Sequence, residues 1–208
     1  MNRRLFPILL FAAATVLAPL SPAAAQVPAP DQFFGFKIGA DGELARYPKV
    51  LEYFELLAKS TDRVKFEVIG KTTMGNDYAL VKISSPQNLA KLDRLVEINR
   101  RLGDPCRLTH ADAQKLSAEG KPFYLLYATI HSTEVSNGQA IINIVHRLAT
   151  ESSPQIGEIL DDSVVLMVPS QNPDGQHLVI DHWYKTKGTS YNRVYPDLYH
   201  KYVGHDDN

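Results

Sequence analysis

His131 and Glu134 stand three residues apart at a point where the chain changes character. The apolar run 123–130 before them has the composition of a strand, and the residues after them carry apolar side chains at helical spacing. Imidazole nitrogen and carboxylate oxygen are zinc ligands, and a catalytic zinc commonly keeps three protein ligands and one water. The pair is therefore a candidate for two of those three ligands. The alternative is a surface histidine followed by a glutamate that complements a helix N-terminus.

Two further polar motifs follow downstream, and the first of them lies at the same edge of the predicted sheet. Asn172-Pro173-Asp174-Gly175 comes just past Ser170, as His131 comes just past Ile130. Ligands of open α/β sheets bind beyond the carboxyl ends of the strands. The His131–Glu134 pair and the Asn172 segment both lie at such ends. Residues 204–208, Gly-His-Asp-Asp-Asn, form the second motif. We interpret the Pro-Asp-Gly segment as a turn that shapes the floor of a pocket.

These motifs, in this order over residues 45–208, resemble the zinc carboxypeptidase family, the carboxypeptidase A-like metallopeptidases. The resemblance implies that His131 and Glu134 bind Zn²⁺, as in the His₂Glu set known for carboxypeptidase A. It implies that Asp206 accepts a hydrogen bond from the zinc-bound histidine and that Asn208 holds the terminal carboxylate of the substrate. The family's oxyanion-stabilising arginine follows a tryptophan. Here Tyr184 follows Trp183, and Lys185 is the candidate for that charge.

The resemblance also implies parts that these 208 residues do not supply. In the family an arginine follows the position of Asn208, and its bidentate geometry suits a carboxylate. The third zinc ligand, a histidine, and the general base, a glutamate, come later still. The sequence is thus expected to be the N-terminal part of a longer enzyme and to be inactive by itself.

Residues 1–25 have the pattern of a secretory signal peptide. Arg3 and Arg4 precede a short apolar stretch, and Ala23-Ala24-Ala25 offers a cleavage site. A membrane anchor is the alternative, but the stretch is shorter than the roughly 20 residues that a span needs. We expect export to the periplasm or the medium, an N-terminal tail over 26–44, and one peptidase domain over 45–208. The formal net charge is −1, with no basic patch to favour nucleic acid.

Hydrophobic periodicity predicts the elements that position the motifs. Helices are expected at 47–59, 86–102 and 110–119, and a hairpin of 64–69 with 78–83 around a turn at 70–76. The strands 123–130 and 163–168, with the helix after His131 between them, form a predicted βαβ unit. The run 123–130 is apolar enough to be buried on both faces. The fold class is therefore α/β: three αβα layers around a mixed, largely parallel sheet that is incomplete at its C-terminal side.

The function that the sequence favours is a secreted zinc metallocarboxypeptidase, which hydrolyses C-terminal residues of peptides through a zinc-activated water. A zinc amidohydrolase of the same fold, cutting cell-wall peptides or removing an acyl group, is the alternative among enzymes. A non-catalytic binding domain is the alternative outside enzymes. The expected partner is a peptide or protein substrate, without nucleic acid and without stable membrane insertion, and the sequence leaves the oligomeric state open.

Overall fold

A computed structural model describes residues 27–192 of the chain. The predicted signal peptide, Asp206 and Asn208 lie outside these residues. The helices are α1 (Pro30–Phe34), α2 (Tyr47–Ser60), α3 (Pro86–Ala90), α4 (Leu92–Leu102), α5 (His110–Glu119), α6 (Val135–Thr150), α7 (Pro154–Asp162) and α8 (Pro173–Thr186), with a 3₁₀ turn at Pro105–Arg107. The strands are β1 (Val64–Lys71), β2 (Asp77–Ile83), β3 (Phe123–Tyr127) and β4 (Val164–Val168).

The four strands form one mixed sheet in the order β1-β2-β4-β3. The hairpin β1–β2 is antiparallel, β2 pairs antiparallel with β4, and β3 pairs parallel with β4. The parallel pair results from the predicted βαβ crossover, which runs through α6 and then through α7. The α/β class and the mixed sheet are confirmed, but among the described strands antiparallel pairing predominates. The antiparallel pairs arise because the hairpin joins the sheet through β2.

Strand β4 shows why the fold has three layers. Its side chains alternate between two clusters: Val165 and Met167 belong to the large core, and Val164 and Leu166 to the smaller one. Helices α2 and α6 cover the large core, and α4 and α5 cover the smaller one. Since neighbouring residues of a strand point to opposite faces, the helices lie on both sides of the sheet. The predicted αβα layering is confirmed.

Strand β3 differs from the prediction of burial on both faces. The side chains of Tyr124, Leu125 and Tyr127 are each more than half exposed, and that of Leu126 is 43% exposed. In the part of the chain that the structure describes, β3 has only β4 as a neighbour. Its apolar composition suits a central strand, yet residues 27–192 leave one of its edges and much of both faces open.

The segment that the sequence predicts to be a tail is attached to the domain. Helix α1 places Phe33 and Phe34 against the ring of Tyr53 on α2, with ring centroids 4.8 and 5.6 Å apart. The Tyr53 hydroxyl lies 2.8 Å from the carbonyl oxygen of Pro28 and 2.7 Å from His146 Nδ1 on α6. Residues 27–38 therefore form part of the packed structure.

The predicted helix 86–102 is two helices, which meet at Lys91. Helix α5 agrees with its prediction, and the Thr109 hydroxyl caps it by accepting a hydrogen bond from Asp112 N at 3.1 Å. Between residues 27 and 192, no helix combines the length and the apolar character that crossing a bilayer requires.

Candidate metal centre

The carboxyl ends of β3 and β4 run side by side beyond the strands themselves. Ala128 O accepts a hydrogen bond from Gln171 N at 2.8 Å, and Thr129 O accepts one from Asn172 N at 3.0 Å. The segments that carry His131 and Asn172 therefore begin at adjacent positions, as the sequence predicts from the edge rule for α/β sheets.

Thr129 turns the chain out of the sheet toward His131. Its φ of +54° is the one left-handed value of a non-glycine residue in the described backbone. This conformation is a strained one for a β-branched residue, at a cost of about 1–3 kcal/mol, and such strain clusters at functional sites. Thr129 is 1% exposed, so the surrounding structure holds this turn in place.

His131 and Glu134 face each other across the start of α6. Glu134 occupies the N-cap position, and its backbone N–H donates to His131 O at 3.0 Å. Its carboxylate turns back, so that Oε2 accepts from His131 N at 3.3 Å and Oε1 lies 3.4 Å from His131 Nδ1. The two side chains are 25% and 37% exposed, so both can be reached from solvent.

The separation of these two atoms fits a shared metal ion. Two ligands held at zinc–nitrogen and zinc–oxygen distances near 2.1 Å, at a tetrahedral angle, lie about 3.4 Å apart. The imidazole nitrogen and the carboxylate oxygen of the pair are 3.4 Å apart. A neutral imidazole and a carboxylate are also the donor types that Zn²⁺ takes in catalytic sites. The residues present therefore fit zinc as two of its ligands.

No third histidine, cysteine, aspartate or glutamate between residues 27 and 192 joins the pair to complete a metal site. Asp206, which the family resemblance implies as the hydrogen-bond partner of the metal-bound histidine, lies outside the described residues. So does Asn208, the candidate for holding the substrate carboxylate. Both roles stay predictions.

The Asn-Pro-Asp-Gly segment begins a helix, and the prediction of a turn was wrong. The Asn172 side chain caps α8 by accepting from Gly175 N at 2.9 Å, and Pro173 is the first helical residue. An N-cap asparagine followed by proline and an acidic residue is a helix-start signature. The same four residues fit a turn when they are considered without the apolar pattern that follows them.

Asp174 joins the start of α8 to the β1–β2 turn. Its Oδ1 accepts from the Thr72 hydroxyl at 2.5 Å and from Asn76 Nδ2 at 2.7 Å, and its Oδ2 accepts from Met74 N at 3.0 Å. We call this group the Asp174 clasp. Burial raises the pKa of the carboxyl, but the three hydrogen bonds outweigh burial and leave the pKa below its ordinary value. The clasp fixes the hairpin turn beside Asn172.

Lys185 lies far from the metal pair along α8. The helix runs without interruption from Pro173 to Thr186. With a rise of 1.5 Å per residue, Lys185 is about 20 Å along the axis from Asn172 at the sheet edge. Lys185 is an exposed residue in the last turn of α8. The helix thus carries the Lys185 backbone away from the edge where His131 lies, and its oxyanion role stays a prediction.

The last turns of α8 instead hold a loop beside α6. Trp183 Nε1 donates to Gly42 O at 3.0 Å, and the Tyr184 hydroxyl bonds both the N–H and the carbonyl of Leu44 at 2.9 Å. From α6, Gln139 donates to Glu43 O at 2.7 Å. A cavity of about 330 Å³ lies between residues 38–44 and the face of α6 that begins at Val135, directly after Glu134. The sequence did not indicate these contacts, because they join positions about 100 to 140 residues apart.

Comparison with known proteins gives one family match. The model of a family described as zinc carboxypeptidase matches residues 50–208. No curated protein sequence matches significantly.

Several solved structures resemble the chain. Carboxypeptidase A from Helicoverpa armigera is 16% identical with a TM-score of 0.46, and the match covers 78% of this chain and 33% of that one. A putative carboxypeptidase A from Shewanella denitrificans is 19% identical with a TM-score of 0.44, covering 71% and 33%. A metallo-carboxypeptidase from Burkholderia cenocepacia is 15% identical with a TM-score of 0.43, covering 62% and 27%. The matched part therefore spans a third or less of the length of these proteins.

Proposed function

The chain belongs to the zinc carboxypeptidase family, since the family match extends over residues 50–208 of 208, and on that premise we propose that it supplies two zinc ligands of an exported metallocarboxypeptidase. His131 and Glu134 are the ligands. The substrate is a peptide or protein, and the product is its released C-terminal residue.

The observation that supports this proposal most is the 3.4 Å separation of His131 Nδ1 and Glu134 Oε1 at the carboxyl edge of the sheet. A histidine and a glutamate three residues apart are common, but a helix-start glutamate need not turn back toward the histidine. Here it does, at the spacing of two ligands on one tetrahedral ion. Both groups remain accessible to a substrate.

His131 and Glu134 would hold the zinc ion, which when bound would supply a water of pKa about 7 and a Lewis acid for the scissile carbonyl. His131 acts as a neutral ligand through Nδ1, which leaves its other ring nitrogen to donate a proton. Asp206 accepts that hydrogen bond and so fixes the ring, as carboxylates often do behind metal-bound histidines. Asn208 holds the terminal carboxylate of the substrate. Among residues 27–192, no further histidine, cysteine, aspartate or glutamate joins the pair as a third ligand.

Hydrolysis of a blocked dipeptide by the full-length protein tests the proposal. Turnover of the dipeptide with a free terminal carboxylate is expected to stop on chelation and to return with zinc. The same dipeptide as its C-terminal amide is expected to be cleaved far more slowly, because an exopeptidase recognises the carboxylate. Equal cleavage of the two dipeptides would favour the amidohydrolase, and no zinc-dependent cleavage of either would contradict the proposal.

The His131→Ala variant ties the activity to the proposed site. It is expected to lose the chelator-sensitive turnover, whereas His110→Ala, a change of an exposed histidine at the start of α5, is expected to keep it. Retained activity in His131→Ala would show that the zinc site lies elsewhere.

A further inference from the structure

Three elements meet at Gly138, one helical turn after Glu134. A Cβ atom built at Gly138 would lie 2.9 Å from Gln176 Nε2 of α8 and 3.1 Å from Thr129 Oγ1 at the end of β3. Gly138, Gln176 and Thr129 are all buried. A side chain at residue 138 would therefore force the buried side chains of Gln176 and Thr129 to move.

Two of these three residues flank the metal pair in the chain. Thr129 precedes His131 by two residues, and Gly138 follows Glu134 by four. The Cα–Cβ bond of a helical residue tilts toward the helix N-terminus, so a methyl group at 138 would be directed toward the turn that carries Glu134. Gln176 lies one turn into α8, and its N–H donates to Asn172 O at 3.0 Å. The contact thus joins the segment that carries His131 and Glu134 to the segment that carries Asn172.

We propose that Gly138, together with Gln176 and Thr129, is a positioning element that sets the separation of His131 Nδ1 and Glu134 Oε1. The Gly138 backbone seats the first turns of α6 against α8, and the strained Thr129 fixes where the chain leaves β3. Without this close contact, α6 shifts and the carboxylate of Glu134 moves relative to the imidazole. The consequence for metal binding depends on the zinc site of the proposed function, whereas the packing itself does not.

The geometry gives the size of the expected shift. Ordinary van der Waals contact of a Cβ begins near 3.4 Å, so the neighbour at 2.9 Å has to move by about 0.5 Å. Functional constellations are held within about 0.5 Å of their working geometry. Because Gln176 is buried, a methyl group at 138 requires either its amide or α6 to move by about this distance.

Gln176 gives a way to reverse this effect. Its side chain is 3% exposed, and its Oε1 has no hydrogen-bond partner among the described residues. Replacing Gln176 by alanine removes its Nε2, the closer of the two atoms that crowd position 138, and its unpaired Oε1 loses no hydrogen bond. The double variant Gly138→Ala/Gln176→Ala is therefore expected to restore the seating of α6, which a general loss of stability would not allow.

Two other glycines provide matched controls for Gly138→Ala. Gly157 in α7 has no atom within 4 Å of a built Cβ, so Gly157→Ala is expected to raise the Tm by about 2 °C through helix propensity. Gly120 at the end of α5 is crowded, with Ile98 Cγ2 at 2.8 Å and Leu116 O at 3.0 Å. Gly120→Ala is expected to lower the Tm, but it lies by the smaller core on the other face of the sheet.

The first test needs no metal. Hydrogen exchange of the Glu134 and Asn137 amides reports the turn itself, since these amides donate to His131 O and Glu134 O at 3.0 and 3.2 Å. In the full chain, Gly138→Ala is expected to speed their exchange about 10-fold and to lower the Tm by about 4 °C. The double variant is expected to reverse most of the exchange effect, and Gly120→Ala and Gly157→Ala to leave these amides unchanged. Unchanged exchange in Gly138→Ala, or equal acceleration in Gly120→Ala, would overturn the proposal.

The second test measures zinc affinity of the full-length protein by competition with a chromogenic chelator. Gly138→Ala is expected to weaken binding about 10-fold, the lower end for changes behind metal ligands, and Gly120→Ala to leave it unchanged. Wild-type affinity in Gly138→Ala would refute the positioning role even if the Tm falls. A wild-type protein that binds no zinc would instead refute the proposed function, and the exchange experiment would still decide whether Gly138 sets the turn.

Discussion

Replacing Asp174 by alanine is expected to destabilise the protein more than any change of an exposed carboxylate. The residue is 7% exposed and accepts hydrogen bonds from Thr72, Met74 and Asn76. The alanine variant leaves these three donors without their acceptor in a partly buried place. The start of α8 would then lose its attachment to the β1–β2 turn.

The magnitude follows from the number and type of these bonds. A hydrogen bond to a charged group contributes about 1.5–3 kcal/mol, and the contributions of one cluster do not add fully. Because water can reach part of the turn, we expect a loss of about 3 kcal/mol in the free energy of unfolding. In a chain of this size that corresponds to a fall in Tm of about 6–12 °C. Thermal unfolding monitored by circular dichroism measures it.

Asp181 supplies the control on the same helix. Its side chain is 60% exposed and pairs with Arg46, so Asp181→Ala is expected to cost less than about 1 kcal/mol. Equal losses of unfolding free energy in the two variants would show that the Asp174 clasp stabilises the protein no more than an ordinary surface ion pair does.

The pH dependence of unfolding gives a second readout of the clasp. The pKa of Asp174 is below its ordinary value in the folded protein. The unfolded chain therefore takes up the proton first as the pH falls, and the folded state loses stability in that window. The contribution of the clasp is fully present above about pH 4, the ordinary aspartate range, and disappears as the pH falls through the folded-state pKa. The difference in stability between wild type and Asp174→Ala is thus expected to shrink below pH 4, and a constant difference would contradict the assignment.

Three further outcomes are expected. Leu126→Lys places a charge on the exposed strand β3 and should reduce the aggregation measured by light scattering. The Tm should stay unchanged, because Leu126 is 43% exposed. A fall in Tm of several degrees would show that Leu126 is covered. Tyr184→Phe removes both bonds to Leu44 and should cost about 1–2 kcal/mol and speed proteolysis of residues 38–46, with unchanged cleavage as the contrary result. N-terminal sequencing of the exported protein should find cleavage near Ala25, and an intact Met1 would contradict the signal peptide.

Local patterns predicted the elements well where one physical signal was sufficient. The apolar spacing of residues 47–59 indicated α2, and two glycines in a polar turn indicated the β1–β2 hairpin. The edge position of His131 and Asn172 followed from the direction of two parallel strands. These features depend on neighbours in the chain or on a general rule of sheets.

The predictions that failed required knowledge of distant contacts. Asn-Pro-Asp-Gly suits both a turn and a helix start, and α8 forms because the following residues bury Ile180 and attach to residues 42–46. The apolar run at β3 predicted burial, but a run of apolar residues does not reveal which elements cover it. The Asp174 clasp joins residues about 100 positions apart, and no local pattern marks it.

Lys185 shows the limit of matching by spacing. Its position after Trp183 suggested a charge near the reacting carbonyl, but α8 continues without interruption through both residues. Each further residue of α8 therefore lies farther from Asn172 along the helix axis, which leads away from the site. His131 and Glu134, by contrast, are three residues apart around a single turn, so their proximity could be predicted locally.

The zinc content of the purified full-length protein tests the central claim most directly. The wild type is expected to hold one zinc ion per chain, and His131→Ala and Glu134→Ala are each expected to bind it more than about 100-fold more weakly, because each removes one of the few protein ligands. His110→Ala is the matched control and should keep the wild-type affinity. Zinc bound with undiminished affinity by His131→Ala would contradict the assignment of this pair as the metal ligands.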